Sequence, residues 1–249
     1  MPDGRLKARC PPADLIGVRP NLLPRPVLDA GVRTIPLPSP GDAGAPGFVQ
    51  HVEVSSQLRG RTRLDVFRQL LVTKRVLHVG YADWPITDSR HHLHVQLDAV
   101  CAALDGIDAN DDAAAVIGGL VKGRLFTRWG EITDAYDVVL APEVLAHVAD
   151  VEGFFSALDL VDARTIIMTV PDASQSAARR FGYDPGTQMF TEVVHPDQHA
   201  WYSPYTFYNV VTKHTDWHVA GLWLFDRQSL LMIADKRPRS AADRALDVA

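Results

Sequence analysis

Cysteine is scarce in this chain, with two in 249 residues: Cys10 in a proline-rich leader and Cys101 in a stretch read as a buried helix. Sulfurs in such unlike contexts argue against a disulfide framework or a cysteine-based zinc site, and a reducing cytoplasm is the expected setting. Long apolar runs are missing as well. No window holds the roughly eighteen apolar residues of a membrane span, and the opening MPDGRLKARCPPADL has no signal-like apolar core. Neither secretion nor a membrane partner is expected. Positive charge is also lacking: 25 Lys and Arg stand against 30 Asp and Glu, the net charge is -5, and no basic run reaches five residues. Nucleic acid is therefore a poor partner, and a small-molecule substrate is the better expectation. The glycine pattern G-x-G-x-x-G is absent too, which disfavours a nicotinamide dehydrogenase.

What is present is unevenly spread. Ten of the seventeen prolines fall in the first 46 residues, with six glycines by Gly47, a composition of turns and extended stretches. Residues 1–54 read as an extension, either a loosely ordered leader or an arm over a site or a second subunit, which keeps a homodimer in view. Residues 55–237 are long enough for one sizeable α/β domain, and residues 238–249 form a tail.

Within the domain, Leu64, Phe67, Leu70 and Leu71 share one stripe of a helix expected within Ser55–Thr73. Strands are expected at Arg75–Val79, Asp105–Ile107, Leu125–Arg128, Tyr136–Leu140 and Thr165–Val170. Helices lie between them, one running to about Ala103, one at Asp112–Val121 and one near Val151–Leu160. Nearly continuous β-branched runs separated by helices predict an α/β fold, a Rossmann-like, mostly parallel sheet with helices on both faces. At the end, His218–Phe225 and Ser229–Ala234 are separated by three residues. So short a link joins antiparallel strands, which predicts a C-terminal hairpin.

In an open sheet of this kind a ligand sits beyond the carboxyl ends of the strands. Gly80 follows the first core strand, where a residue without Cβ permits a sharp turn and close approach of a ligand. The alternative is an ordinary strand-terminal glycine. Asp108 follows the second strand, where its carboxylate can hold ribose hydroxyls or cap the helix near Asp112. Asp111 and Asp112 read as helix-start acids.

The segment YDVVLAPEVLAHVADVEGFF from Tyr136 resembles the fourth motif of class I S-adenosylmethionine-dependent methyltransferases. VLHVGYAD resembles their first motif, GIDAND the second and TIIMTVPDA the strand-five motif. VHPDQHAWYSPYTFYNVV is similar to a loop and helix of a bacterial methyltransferase type 11-like subgroup associated with glycan and specialised-metabolite clusters. Five motifs in order span about residues 75–237. The resemblance implies a seven-stranded sheet whose last strand is antiparallel, and S-adenosyl-L-methionine as cofactor. It implies methyl transfer to a small molecule such as a sugar or specialised metabolite, with oxygen favoured. It further implies that Gly80, Tyr81 and Ala82 line the methionine and ribose side, that Asp108 with Ala109 holds the ribose, and that Glu131 lies near the adenine. Ala141, Pro142 and Glu143 would border the methionine part, Glu143 reading equally as a helix-start acid.

Two departures from the family pattern stand out. Many members carry an acid two residues before the first glycine and a second glycine two after it, where this chain has His78 and Ala82. Asp83 is the acid expected to stand in, and His78 is expected to pack locally. These departures also allow a non-catalytic protein that keeps the fold and binds a ligand or partner.

If the acceptor is a hydroxyl, a base helps, and histidine suits neutral pH. The candidates are His147, His195 and His199, each of which could instead serve packing or loop structure. Tyr81, Trp84, Trp201, Tyr202, Tyr205 and Tyr208 are candidate pocket walls or core residues. His91, His92 and His94 invite a metal reading, which no accompanying cysteine or carboxylate spacing supports, so no metal is expected.

Overall fold

In the computed structural model of the protein, residues 32–36, 48–82, 88, 90–175 and 181–236 are described. The core strands are β3 (Arg75–Val79), β4 (Ala103–Ile107), β5 (Leu125–Phe126), β6 (Tyr136–Pro142), β7 (Ala163–Pro171), β10 (His218–Phe225) and β11 (Ser229–Asp235). They form one sheet in the order β10-β11-β7-β6-β3-β4-β5. The pairs from β7 to β5 are parallel, whereas β11 runs antiparallel to both β7 and β10. The Rossmann-like sheet and its C-terminal hairpin are thus as the sequence implied, with the hairpin's second strand inserted next to β7. Asp226 and Arg227, both at positive φ, make the tight turn.

Alternation along the strands builds a core on each face. Ile167 of β7 and Leu231 and Ile233 of β11 face α1 (Arg63–Leu71) and α2 (Leu93–Asp98), joining Val66, Phe67, Leu70, Leu93 and Leu97. Their neighbours Ile166, Met168, Leu230 and Met232 face α4 (Val151–Leu160) and α5 (Pro204–His214), meeting Phe155, Leu158, Phe207 and Val211. The third helix, α3 (Asp111–Ile117), packs Ala113 and Ile117 against Tyr81.

Local signals explain most boundaries. Helix α1 starts at Arg63, one residue before its stripe and well inside the expected Ser55–Thr73 segment, because Gly60 turns the chain at φ +84° and Thr62 accepts the Asp65 N–H as cap. Asp150 caps α4, and Ser203 with Thr206 forms a capping box at α5, followed by Pro204. Helix α2 is shorter than expected, and Cys101 lies half-buried beyond its end as a free thiol.

Some elements had no counterpart in the sequence reading. β1 (Val32–Pro36) and β2 (Phe48–Val52) pair antiparallel within the proline-rich region. Ser55 bridges to Trp223, and Val52 and Val54 pack on the core. A second small hairpin, β8 (Phe181–Asp184) with β9 (Met189–Glu192), projects with Tyr183, Met189 and Phe190 exposed. Among the described residues no helix is long and apolar enough to cross a membrane.

Candidate functional site

The order of strands reverses at β3, with β4 on one side and β6 on the other, and the carboxyl ends of these three strands frame the site. Gly80 ends β3 at φ +73°, its N–H donating to the Ile107 carbonyl at 2.8 Å. A Cβ here would lie 2.5 Å from Cγ2 of Val144, so both the backbone and the space require glycine.

Asp108 ties this turn to the one after β4. Its Oδ2 accepts the Ala82 N–H at 3.2 Å and its Oδ1 the Asn110 N–H at 3.0 Å. The cap of α3 is Asn110, which accepts from Ala113 at 3.0 Å. Asp108 is therefore not the cap, while Asp111 and Asp112 occupy the first helical turn as read from the sequence. Ala109 is exposed beside Asp108.

Tyr81 turns its side chain inward, onto α3. Its side chain is fully buried, a Cβ on Gly106 would touch its ring, and its ring centroid is 5.4 Å from that of His94. Burial, then the nearby Asp108 and Asp111, push its hydroxyl up to about 12. Only its backbone belongs to the turn. Asp83 and Trp84 lie outside the described residues.

Behind the turn is a buried histidine group. His78 stacks on His94 with ring centroids 5.2 Å apart and their Nδ1 atoms 3.0 Å apart. His92 donates from Nε2 to the Ala82 carbonyl at 2.9 Å, since a carbonyl can only accept. Burial, with neighbouring imidazoles and Arg63, holds His78 well below its ordinary pKa. Burial and then His92 bring His94 down to about 3. The packing role expected of His78 is the one it has. His91 instead sits on the surface near Asp88, and among the described residues no group of three or more His, Cys, Asp or Glu is arranged to hold a metal ion.

At the end of β6, Ala141 and Pro142 are buried and Glu143 adopts φ +60°, a left-handed conformation unusual for a side chain of this size. Its N–H donates to the Thr169 carbonyl at 2.9 Å, and its Oε1 accepts from Thr169 Oγ1 at 2.8 Å. Burial raises its pKa. No α-helix starts at Glu143, so the helix-start reading gives way to a strained, half-buried carboxyl. Glu131 is exposed and closes a 3-10 turn, its Oε2 accepting the Thr127 N–H at 3.3 Å.

The three candidate histidines converge. A 3-10 turn, Leu145–His147, follows β6, and the carbonyl of Ala146 accepts the N–H groups of His199 and Ala200 at 2.8 and 3.1 Å. The rings of His147 and His195 meet edge to face at 5.3 Å. His147 is half-buried, and burial lowers its pKa, while His195 and His199 are exposed. The Asp197 N–H donates to Nδ1 of His195 at 3.2 Å.

Among the aromatics, Tyr202 is buried in the core and Tyr208 packs on it, while Tyr205 is half-buried. Trp201 packs edge-on against Phe181 at 5.1 Å and donates its indole N–H to Glu192, linking this loop to the β8–β9 hairpin. Val144, Thr169 and His92 were not singled out for the roles they have. Their contacts join segments distant in sequence or depend on a turn direction that residue spacing does not encode.

No protein-family model and no curated protein matches the chain. Several solved structures are similar to part of it. The DhpI-SAH complex is similar over 71% of this chain and 83% of its own, at 15% identity and a TM-score of 0.49. An S-adenosylmethionine-dependent methyltransferase from Mesorhizobium loti is similar over 70% and 95%, at 13% identity and 0.47. The 16S rRNA methylase ArmA is similar over 70% and 79%, at 12% identity and 0.42. The fold of the chain is that of the class I methyltransferases, on the strength of its own strand order and its inserted antiparallel strand.

Proposed function

We propose that the chain is an S-adenosylmethionine-dependent methyltransferase of the type 11-like subgroup, acting on a small-molecule acceptor such as a sugar or specialised metabolite, with oxygen as the receiving atom. The observation that carries this reading is the pairing of the Gly80 turn with the Asp108 carboxylate at the point where the strand order reverses. The chain's residues fit such a cofactor. A positive-φ glycine exposes backbone at the end of β3, and each Asp108 oxygen, holding one backbone N–H, retains acceptor capacity for a ribose hydroxyl. Ala82 and Ala109 flank that carboxylate, Glu131 serves the adenine side, and Ala141, Pro142 and Glu143 border the methionine side. Residues 55–237 are the catalytic domain and residues 1–54 an extension, through which a homodimer could form.

Such a cofactor supplies a methyl carbon activated by a sulfonium, which leaves little covalent chemistry to the protein. The chain's work is to align the acceptor and exclude water. His147 is the best placed base: held below its ordinary pKa by burial, its imidazole is neutral at pH 7 and can take a hydroxyl proton. His195 braces that ring edge-on, and His199, anchored through its backbone, lies on the same loop. The net charge of -5 supports a small acceptor over a nucleic-acid backbone.

A second reading, a non-catalytic protein that keeps the fold and binds a ligand or partner, is favoured by one observation. His78 occupies the position of the family's acid and is committed to a buried stack. Calorimetric titration with S-adenosylmethionine and S-adenosylhomocysteine, with NAD as control, separates the two. Micromolar binding of the first two is expected; a folded sample that binds neither supports the second reading.

A further inference from the structure

The first motif departs from the family pattern at His78 and at Ala82, and α2 meets it at both places. His94 stacks on His78, while His92, the residue before α2, reaches Ala82. Both backbone polar groups of Ala82 are taken. Its N–H donates to Asp108 Oδ2 at 3.2 Å, and its carbonyl accepts from His92 Nε2 at 2.9 Å. Asp108 is held through its other oxygen as well, by the Asn110 N–H at 3.0 Å. The orientation of this carboxylate is therefore set from two directions, and one of them runs through Ala82 to His92.

The His92 ring is buried, and its Nδ1 has no hydrogen-bond partner among the described residues. A buried polar atom left unpaired costs free energy that a leucine or phenylalanine filling the same space would avoid. What the imidazole offers and those side chains do not is the Nε2–H on Ala82. The backbone beneath the ring is itself fixed, its N–H donating to the Asp88 carbonyl at 3.0 Å and its carbonyl accepting the Gln96 N–H at 3.1 Å. We propose that His92 is a positioning residue for the cofactor: it holds the Ala82 turn so that Asp108 already faces the ribose when the ligand arrives, which spares binding the cost of ordering the turn. His92 acts through Ala82 and touches no reacting atom. The proposal rests on the reading of the site as an S-adenosylmethionine site.

S-adenosylhomocysteine is titrated calorimetrically into the full chain for the wild type, His92→Gln, His92→Asn and His92→Phe, and hydrogen exchange at the Ala82 amide is read in each without ligand. The amide of His92→Gln places a donor near the position of Nε2, that of His92→Asn is one carbon too short to do so, and His92→Phe keeps a ring without a donor. His92→Gln is expected to keep its affinity within about threefold, whereas His92→Asn and His92→Phe each lose roughly tenfold, the worth of one hydrogen bond. Exchange at Ala82 should be faster in those two and close to wild type in His92→Gln. A side chain that only fills space would give no such division between the two amides, and this pair carries the test should His92→Phe fail to fold. Equal affinity in all the variants, or equal loss in His92→Gln and His92→Asn, overturns the positioning role alone. A folded wild type that does not bind S-adenosylhomocysteine overturns the cofactor reading, and the positioning role with it.

Discussion

Asp108 and Asn110 stand two residues apart, and their different partners should separate function from stability. Asp108 accepts from two turns, whereas Asn110 caps α3 alone. Asp108→Ala removes the carboxylate offered to the ribose and the tie to Ala82. Charge-assisted bonds of about 1.5–3 kcal/mol imply at least a tenfold loss of S-adenosylhomocysteine affinity by titration. Asn110→Ala should lower stability by about 1 kcal/mol in urea unfolding and leave affinity within twofold. Unchanged affinity in the first variant would remove Asp108 from the site. Gly80→Ala combines a left-handed backbone with a contact of 2.5 Å to Val144. A loss of about 1–3 kcal/mol in urea unfolding is expected, and a variant as stable as the wild type would contradict the described turn. Gly80 and Asp108 were legible because each directly follows an apolar strand. Glu143 was legible as a position but not as a conformation.

Elements were legible where a cap or periodicity marked them and obscure where tertiary contact made them. Val151–Leu160 and His218–Phe225 are found where the sequence puts them. The β8–β9 hairpin has no alternation facing a core, since its strands pair only with each other, and β1 with β2 is hidden among prolines. The union of α2 with β3 was only half legible: His78 was expected to pack locally, but its partner His94 was offered by spacing only as part of a possible metal cluster. That union should make the fold sensitive to acid. Burial favours the neutral forms of His78 and His94, the latter down to about 3. Above the ordinary histidine value of about 6.5 both states are neutral and nothing is lost. Below it the unfolded chain takes up protons that the folded chain refuses, so stability falls by up to ~1.4 kcal/mol per pH unit for each group. The thermal unfolding midpoint should therefore drop between pH 7 and pH 5, and by less in a His94→Leu variant. An equal drop in both would mean that this stack is not the acid-sensitive element.

For the whole molecule, the strand order follows from motifs that alternate strand and helix, and the antiparallel insertion of β11 from a three-residue link too short for a crossover. What spacing could not supply is which parts move together, and the burial pattern now ranks them. β3, β6, β7 and β11 are covered on both faces, so their amides should exchange only through global unfolding. β8 and β9, paired only with each other and exposed, should exchange orders of magnitude faster. Binding of S-adenosylhomocysteine should then slow exchange at Ala82 and Asn110, whose N–H groups rest on Asp108, and leave the hairpin unchanged. Trp201, joined to Phe181 and Glu192, connects that hairpin to the loop that carries His195 and His199, the bases proposed for the acceptor. An acceptor, rather than the cofactor, is therefore the ligand expected to order it. Hydrogen exchange read by mass spectrometry with cofactor product alone decides the point: slowed exchange in residues 181–192 would assign the hairpin to the cofactor side and shift the acceptor site away from Trp201.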